Sequence, residues 1–381
     1  MRNTSDKFIF AFFVLLIIFP VLTLNFKQNT ISESEGRYLA NFPKFFDNNK
    51  SFNQNYGDEL KNWCKDNFGF RKYFMKLCSI TEYTIFNRAV SPKVIKGKND
   101  WLFFTGENNL TILKGTYPNF DENELEEICE KQNKVKDYFA SKGIEYIILL
   151  TPSKVSIYPE FIYENYYNPQ NTPIDLLTDY LEKNSDIHVI NTKTALLNKK
   201  ASSDTLFFYK QDSHWNFYGH YVCYLELAKK LKKLNLLQKE PKEFNIYTSD
   251  DYMPDDLSII NNVIDILHEN KQLISNLHSE RDEDGDLIKK IYEKNPNVEY
   301  CYAIEDFDID GPTILIYCDS MGPGVMHFLA ENVKKTVCIQ SNDMSLEIID
   351  LVKPDCIIYQ IGERRLDWLT ELDDDFLESI S

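Results

Sequence analysis

The stretch TILIYCDSMG, residues 313–322, decides the fold class of this chain. The residues after Thr313 are apolar or aromatic as far as Cys318, a pattern typical of a strand buried on both faces of a parallel sheet. Residues 322–324 are Gly-Pro-Gly and turn the chain, and a helical pattern follows over residues 325–333. A strand that leads directly into a helix is the repeating unit of α/β proteins, so the stretch predicts that class.

The same alternation of strand and helix extends over most of the chain. Predicted strands lie at residues 101–104, 146–150, 188–191, 206–209, 313–318, 336–340 and 356–361, and predicted helices at 122–142, 173–183, 216–234, 325–333 and 345–353. Strands that are apolar on both faces need helices on both sides, so we expect a doubly wound parallel sheet of five or six strands. Residues 238–305 interrupt the alternation and are expected to form an insertion.

The N-terminus carries a separate signal. Residues 8–24 are 17 residues without a charge, and a helix of that length spans roughly 25 Å, near the lower limit for crossing a bilayer. No Ala-x-Ala-like site follows, which disfavours a cleaved signal peptide. Arg2 and Lys7 precede the span, so we expect a single-pass anchor with a cytoplasmic N-terminus and the remainder outside the cell membrane. The predicted domains are residues 1–27 (cytoplasmic tip and transmembrane anchor), 28–100 (helical stem) and 101–381 (α/β domain).

Composition excludes some classes of partner and site. The formal net charge is −17, from 42 basic and 59 acidic residues, which argues against nucleic acid and anionic lipid as main partners. The eight cysteines form no Cys-x-x-Cys pair, so a zinc knuckle or a thioredoxin motif is not expected. Cys318, Cys338 and Cys356 each fall inside an apolar run and are expected to be buried thiols.

Ser320 is the first candidate for chemistry. It follows the predicted strand 313–318 and precedes a helix, whose N-terminal amides favour a developing negative charge. Serine needs a neighbouring base to act as a nucleophile. The alternative is a serine that only caps the helix. Cys318 stands where the Gly-x-Ser-x-Gly elbow has its first glycine, so the chain is not an ordinary α/β-hydrolase.

Residues 211–215, Gln-Asp-Ser-His-Trp, supply what a serine lacks. Side chains two residues apart in an extended chain point the same way, so Asp212 could orient the imidazole of His214 as in a Ser-His-Asp triad. Trp215 would form a wall of the pocket. The alternative is a loop aspartate beside a partly exposed histidine. Both segments follow predicted strands, so they are expected at the same edge of the sheet.

Metal and cofactor sites are not expected. The six histidines show no spacing typical of metal ligands. Residues 306–311 resemble the start of an EF-hand loop, but its twelfth position would be Tyr317 instead of glutamate. We therefore predict no metal ligand and no cofactor.

Together these segments resemble the SGNH-like alginate O-acetyltransferase group (AlgJ and AlgX), and most closely the related DHHW family. Asp212-Ser213-His214-Trp215 stands in place of Asp-His-His-Trp. The further matches are Trp101-Leu102-Phe103, Thr151-Pro152-Ser153-Lys154 leading to Tyr158-Pro159-Glu160, Asp256-Leu257-Ser258 and Glu363-Arg364. The departures are Ser213 in place of the middle histidine and Cys318 in place of the glycine before Asp-Ser.

The resemblance implies a SGNH-hydrolase-like fold in which the triad order is Asp, His, Ser, permuted relative to ordinary SGNH esterases. Ser320 would be the nucleophile, His214 the base and Asp212 the residue that orients the imidazole. Candidates for binding the oxyanion or the substrate are Arg364, Trp215, Lys154, Tyr158 and Met321.

The implied function is O-acetylation of a cell-surface or secreted polysaccharide through an acyl-serine. The implied partner is a membrane-bound O-acyltransferase that supplies the acetyl group, because no acetyl-CoA pool is expected outside the cell. Two alternatives stay open at this point. One is a carbohydrate O-acetyl esterase with the same triad, and the other is a catalytically silent scaffold that binds polysaccharide.

Overall fold

The computed structural model describes residues 2–32, 37–46, 50–115, 120–163, 172–277, 281–372 and 374–380. The chain divides into two compact units. The first is Met1–Val94 with Ser258–Leu267, and the second is Ile95–Leu257 with His268–Ser381. A short segment of the predicted insertion therefore belongs to the first unit, whereas the predicted domain limits themselves stay predictions.

The elements are as follows. The helices are α1 (Arg2–Leu22), α2 (Tyr56–Asn67), α3 (Arg71–Thr84), α4 (Asn109–Lys114), α5 (Glu122–Ser141), α6 (Lys154–Ile157), α7 (Pro173–Asn184), α8 (Lys193–Ser202), α9 (Phe217–Lys233), α10 (Asp256–Ile260), α11 (Asp286–Lys294), α12 (Pro323–Leu329), α13 (Leu346–Val352) and α14 (Asp374–Ser379). The strands are β1 (Ile31–Ser32), β2 (Arg37–Tyr38), β3 (Val94–Lys96), β4 (Leu102–Phe104), β5 (Glu145–Thr151), β6 (His188–Asn191), β7 (Ile246–Tyr252), β8 (Asn270–Ile274), β9 (Tyr300–Glu305), β10 (Thr313–Cys318), β11 (Lys335–Gln340) and β12 (Cys356–Gly362).

In the first unit, α1 contacts the turn between α2 and α3. The Gly69 amide donates to the carbonyl of Pro20 at 2.8 Å, and the rings of Phe19 and Phe70 stack with centroids 5.1 Å apart. A Cβ on Gly69 would lie 1.7 Å from Thr23 Oγ1, so only glycine permits this approach. Within the described residues, no helix combines the length and the apolar content that crossing a membrane requires.

The second unit contains a six-stranded sheet in the order β6-β5-β12-β10-β11-β9. The first five strands pair in parallel, and β9 pairs antiparallel with β11. The predicted α/β class is therefore right, but the expectation of an all-parallel sheet is wrong at one edge. The reason is that β9 lies within the predicted insertion and joins β10 by the short loop 306–312, which is too short for the crossover that a parallel pair requires. β9 therefore runs opposite to β10 and pairs with β11 at the edge of the sheet.

Local signals define the helices around this sheet. The carboxylate of Asp121 caps α5 and accepts from the Glu124 amide at 2.9 Å. The carboxylate of Glu124 accepts in turn from the Asp121 amide. This capping box begins the helix, and Gly143 with φ +73° follows its end. The predicted limits of β6 and β10 coincide with the observed ones.

The strand predicted at residues 206–209 is wrong. This segment is a loop in which Phe208 forms a single antiparallel bridge with Trp215. Its apolar residues are buried because the loop packs on the core: Phe207, Phe208 and Tyr209 are each at most 6% exposed. The Asn216 side chain accepts from the Gly219 amide and starts α9 directly after the loop. Burial alone thus produced the apolar run that resembled a strand.

The carboxyl ends of the parallel strands meet at one edge. Cys318 at the end of β10 is in register with Gln360 of β12, and Gly362 is in register with Thr151 of β5. The residues that follow these strands therefore emerge side by side. This is the edge at which parallel α/β sheets bind ligands.

Candidate active site

A tight turn after β10 presents Ser320. The buried carboxylate of Asp319 accepts from the Met321 amide at 2.8 Å and from the Gly362 amide at 2.9 Å. The Trp215 indole donates to the Met321 carbonyl at 2.9 Å. These bonds tie the turn to β12 and to the loop before α9. The N-cap of α12 is Gly322, so the interpretation of Ser320 as a capping serine is wrong.

The structure brings Ser320, His214 and Asp212 together in one chain of hydrogen bonds. His214 Nε2 lies 3.0 Å from Ser320 Oγ, and His214 Nδ1 lies 2.8 Å from Asp212 Oδ1. Both distances fall within the range of about 2.6–3.2 Å for a nucleophile and its base. The imidazole can accept the serine proton while the carboxylate stabilises the resulting positive charge.

Acceptors around Nδ1 assign the tautomer of His214. Asp212 Oδ1 lies at 2.8 Å and Ser213 Oγ at 3.3 Å from this nitrogen. The Ser213 hydroxyl donates to Asp256 Oδ2 at 2.5 Å, so its lone pair faces the ring. Nδ1 therefore carries the proton, and Nε2 is left as the base toward Ser320.

Asp212 is held as an anion although it is only 3% exposed. Burial raises the pKa of Asp212, but the hydrogen bond from His214 and the positive charge that this ring can carry lower the pKa by more. The pKa of Asp212 therefore lies below its ordinary value. The amides of His214 and Asp256 each donate to this carboxylate at 2.9 Å. Asp212 is therefore both ionised and fixed, as the carboxylate that orients the histidine of a triad has to be.

Arg364 completes the surroundings of the serine hydroxyl. Its Nη2 donates to Ser320 Oγ at 3.0 Å, and its Nε contacts Glu107 Oε2 at 2.8 Å. The residue directly follows Glu363 after β12 and is 8% exposed. The guanidinium is therefore buried and points at Ser320.

A small pocket adjoins this cluster. Its polar lining includes Asn109, Ser213 and Arg364, and its apolar lining includes Phe104 and Met321. Asn109 begins α4 and Phe104 ends β4, and neither was predicted to belong to the site. Their sequence signal is weak, since an asparagine at the start of a short helix is common. Met321, a predicted candidate, lines the pocket through its side chain while its amide donates to Asp319.

The remaining predicted residues hold the site in place, and Lys154 also lines the pocket. Lys154 is buried, and its Nζ donates to the carbonyls of Leu102, Lys210 and Asp212 at 2.6, 2.7 and 3.0 Å. Burial lowers the pKa of Lys154 to about 8. The Tyr158 hydroxyl accepts from the Phe207 amide at 2.9 Å. Both side chains fix the loop that carries Asp212 and His214.

Trp215 is 1% exposed and packs below the Ser320 turn through the hydrogen bond to Met321. It therefore forms a support under the turn instead of an open wall of the pocket.

Glu363 is fully buried and accepts from the Ser153 amide at 2.9 Å and the Ser156 hydroxyl at 2.6 Å. This contact joins the ends of β5 and β12 at the pocket, whose lining includes both Ser153 and Glu363.

Asp256 is a further residue at the site that was not predicted to belong to it. Asp212, His214 and Asp256 offer ligand atoms that lie within 4.8 Å of one another, close enough to share a cation. His214 Nδ1 is, however, bonded to Asp212, and both oxygens of Asp256 accept from Ser213. These atoms already have partners, so we assign no metal ligand. The available signal was the Asp-Leu-Ser match at residues 256–258.

Comparison with known proteins identifies relatives of this chain. Residues 94–258 match the family model ALGX, described as the SGNH hydrolase-like domain of the acetyltransferase AlgX. The probable alginate O-acetylase AlgJ of Pseudomonas syringae pv. tomato is 24% identical over 179 residues, which are 47% of this chain and 43% of that protein. This chain is homologous to AlgJ. The resemblance inferred from the sequence is thereby confirmed, although the match spans less than half the length of these curated relatives.

Solved structures show the fold of this AlgJ homologue. PatB1 of Bacillus cereus, solved with a sulfonyl adduct, is 13% identical, superposes with a TM-score of 0.51, and is covered over 96% of its length by 72% of this chain. A DHHW family protein of Eubacterium siraeum is 11% identical, with a TM-score of 0.48 over 65% of this chain and 89% of that one. The likeness to PatB1 supports the α/β fold with a mixed sheet, and the matched family model describes an SGNH hydrolase-like domain.

Proposed function

We propose that this AlgJ homologue is an O-acetyltransferase that moves an acetyl group onto a polysaccharide through an acyl-serine. The observation that carries the proposal is the position of Ser320 Oγ, which lies 3.0 Å from both His214 Nε2 and Arg364 Nη2. The hydroxyl thus has a base on one side and a cation on the other. The substrate class comes from the relatives of this chain, which are probable alginate O-acetylases.

The first half of the reaction would form the acyl-serine. His214 Nε2 takes the proton of Ser320 as Oγ attacks the acetyl carbonyl, and Asp212 stabilises the imidazolium. The guanidinium of Arg364 then stabilises the negative oxygen of the tetrahedral intermediate. His214 returns the proton to the leaving group of the donor, so the bond to the donor breaks as the serine ester forms.

The second half would transfer the acetyl group. A sugar hydroxyl enters the pocket beside Ser320, and His214 removes its proton as it attacks the serine ester. The ester to Ser320 breaks, the sugar ester forms, and the proton on His214 returns to Oγ. Water in place of the sugar would make the same residues an esterase, so the choice of acceptor separates these two activities.

The proposal also places the enzyme on a membrane and outside the cytoplasm. Most large apolar side chains of α1 lie exposed along the helix, from Phe8 at 76% to Leu22 at 75%. Burying them in a bilayer would remove this surface from water. The charges before the span put the N-terminus in the cytoplasm. Resistance of the full chain to alkaline extraction of membranes, together with an intact N-terminus by mass spectrometry, is the expected result, and a mature N-terminus near residue 25 would overturn the anchor.

A membrane-bound O-acyltransferase is the partner that the proposal requires. An enzyme outside the cell has no acetyl-CoA, so an acetyl group has to cross the membrane on a second protein. Deleting that partner's gene should abolish acetylation of the polymer in cells while purified enzyme keeps its activity on an activated ester. Unchanged acetylation in the deletion strain would show that the acetyl group has another source.

The deciding experiment uses the full chain in detergent with an activated acetyl ester and an oligosaccharide acceptor. Wild type should release the chromophore and add acetyl mass to the acceptor. Ser320→Ala should lose both activities by several orders of magnitude. Ser345→Ala is the matched control, because Ser345 precedes α13 but makes no cap bond and lies outside the site. Hydrolysis without transfer to any acceptor would favour the esterase, and polysaccharide binding without turnover would favour the scaffold.

A further inference from the structure

A second carboxylate stands beside the His214 ring. Asp256 Oδ2 lies 3.8 Å from His214 Nδ1, on the side of the ring that also faces Asp212. The two carboxylates come from different parts of the chain, since Asp212 lies in the loop before α9 and Asp256 begins α10. Two carboxylates therefore lie near Nδ1 of the imidazole, although a Ser-His-Asp triad needs only one.

Asp256 is fixed in this position by two hydrogen bonds from one residue. The Ser213 amide donates to Oδ1 at 2.7 Å, and the Ser213 hydroxyl donates to Oδ2 at 2.5 Å. In return, the Asp256 amide donates to Asp212 Oδ2 at 2.9 Å. The start of α10 and the catalytic loop thus hold each other, and neither oxygen of Asp256 can rotate away from the ring without breaking a bond.

We propose that Asp256 is a positioning residue for acyl transfer: it fixes the loop of Asp212 and His214 and adds a second negative charge that stabilises the imidazolium formed when Ser320 gives up its proton. This inference rests on the proposed function of Ser320. Opposite charges separated by about 4 Å interact appreciably even in partly solvated sites. The His214 side chain is 31% exposed and the Asp256 side chain 33%, so water weakens the interaction without removing it.

Charges of both signs surround Asp256, and the ammonium of Lys154 is among the positive ones. Burial and the charge of Asp212 raise the pKa of Asp256, whereas the His214 ring and the two hydrogen bonds from Ser213 favour its ionised form. Arg364 lies on the opposite side of the ring, beyond Ser320 Oγ. The titratable and charged groups that surround this pair are Asp212, Asp255, Glu269, Lys154, His220 and Arg364.

The test is the pH dependence of turnover of an activated acetyl ester by the full chain, after subtraction of the Ser320→Ala background. Neutral His214 is the base, so the acid limb of the kcat/KM profile reports its protonation in the free enzyme. Asp256→Asn removes a charge that favours the imidazolium. The acid limb should therefore move to lower pH by roughly one unit, and the plateau should fall about tenfold.

Two further variants separate electrostatics from folding. Asp256→Glu keeps the charge and should restore the position of the limb even if the plateau stays low. Asp255→Asn changes the adjacent carboxyl group, whose Oδ2 accepts from the Glu269 amide at 2.8 Å and has no contact with the ring among the described residues. Burial raises the pKa of Asp255 to about 7, so this variant alters the start of α10 while removing little charge at lower pH. It should leave the limb close to that of wild type. Thermal unfolding of each variant verifies that the fold is intact.

The outcomes are distinguishable. An acid limb in Asp256→Asn that coincides with that of wild type, at any plateau rate, would overturn the inference and leave Asp256 a purely structural residue. An equal shift in Asp255→Asn would overturn it as well, since the shift would then not depend on the charge of Asp256. Absence of Ser320-dependent turnover in wild type would instead refute the proposed function, before any variant is compared.

Discussion

At the scale of single residues, Arg364 contacts the nucleophile as closely as His214 does. Its guanidinium donates to Ser320 Oγ and is braced by Glu107, so it is already oriented before substrate binds. A preorganised cation at this position can stabilise an oxyanion at little cost in reorganisation. The sequence suggested Arg364 through the Glu363-Arg364 match and its place after the last strand, and the contact itself depends on β10 and β12 being neighbours.

Arg364→Ala should lower kcat for an activated acetyl ester by about 10²–10³-fold, because removal of one oxyanion donor typically has this effect. The matched control is Arg365→Ala, whose side chain contacts the other oxygen of Glu107 at 2.7 Å. That control should lose little activity. Steady-state kinetics with a thermal melt of each variant is the measurement, and wild-type rates in Arg364→Ala would remove the residue from the mechanism.

Asp255 has an ionisation state that opposes folding at neutral pH. Its carboxylate is fully buried, and Oδ1 has no hydrogen-bond partner among the described residues. Burial raises the pKa of Asp255 to about 7, with the charges of Glu269 and Asp212 adding to this. The folded state thus binds more protons than the unfolded state between about pH 4 and pH 7, and this contribution to stability is lost as the pH rises through that window.

Asp255→Asn should therefore stabilise the protein above pH 7, by about 2 kcal/mol, and the gain should vanish near pH 4. The asparagine oxygen can still accept from the Glu269 amide, so no native bond is lost. Urea unfolding at pH 4 and pH 8 measures the difference. A variant that is less stable than wild type at pH 8 would show that Asp255 is ionised and favourably paired there.

At the scale of elements, the turn that carries Ser320 and the start of α12 are packed without spare room. Gly324 lies against the buried His220 ring, and a Cβ there would stand 2.3 Å from ring atoms. His220 packs against Trp215 with ring centroids 4.9 Å apart. Trp215 in turn holds the Met321 carbonyl. A side chain at position 324 would therefore displace the His220 ring and, through it, Trp215 and the turn that carries Ser320.

Gly324→Ala should destabilise the protein by about 2 kcal/mol, because extra volume in a packed core typically costs this much. It should also lower acyl turnover, since the displaced rings support Ser320. The control is Gly311→Ala, where the nearest atom to a new Cβ is 3.6 Å away. That change should stay within about 0.5 kcal/mol of wild type in urea unfolding. Equal stability of the two variants would contradict the packing argument.

At the scale of the whole molecule, the thiols report which parts of the chain are covered. All eight cysteines are free; Cys64 and Cys78 are exposed, and the other six are buried. The predicted burial of Cys318, Cys338 and Cys356 is confirmed, since each is 0% exposed. Burial also raises the pKa of Cys301 to about 12, which suppresses the reactive thiolate.

Two of the eight thiols should therefore react rapidly with a water-soluble disulfide reagent in the native protein, and the other six only after unfolding. Mass spectrometry of modified peptides should place the fast sites at Cys64 and Cys78. Single replacements of these two by serine should each remove one fast equivalent. Fast modification of Cys318 would show that the region behind the Ser320 turn opens to solvent in the native state.

The sequence by itself determined the elements that have a continuous local pattern. β10 and β6 were predicted to the residue, because a buried strand needs an uninterrupted apolar run and its ends carry turn residues. The candidate Ser320 was also predictable from its motif after β10, and the candidates Asp212 and His214 from the motif that directly precedes α9. Arg364 followed from its place at the same edge of the sheet.

Only the tertiary structure decided the rest. The apolar run at residues 206–209 is a buried loop and not a strand, because burial produces the same local pattern in both. The antiparallel pairing of β9 depends on which edge of the sheet was free. Asp256 lies 3.8 Å from His214 although 42 positions separate them in the chain. Contacts between segments so far apart arise from packing of the whole chain, and no local pattern of residues encodes them.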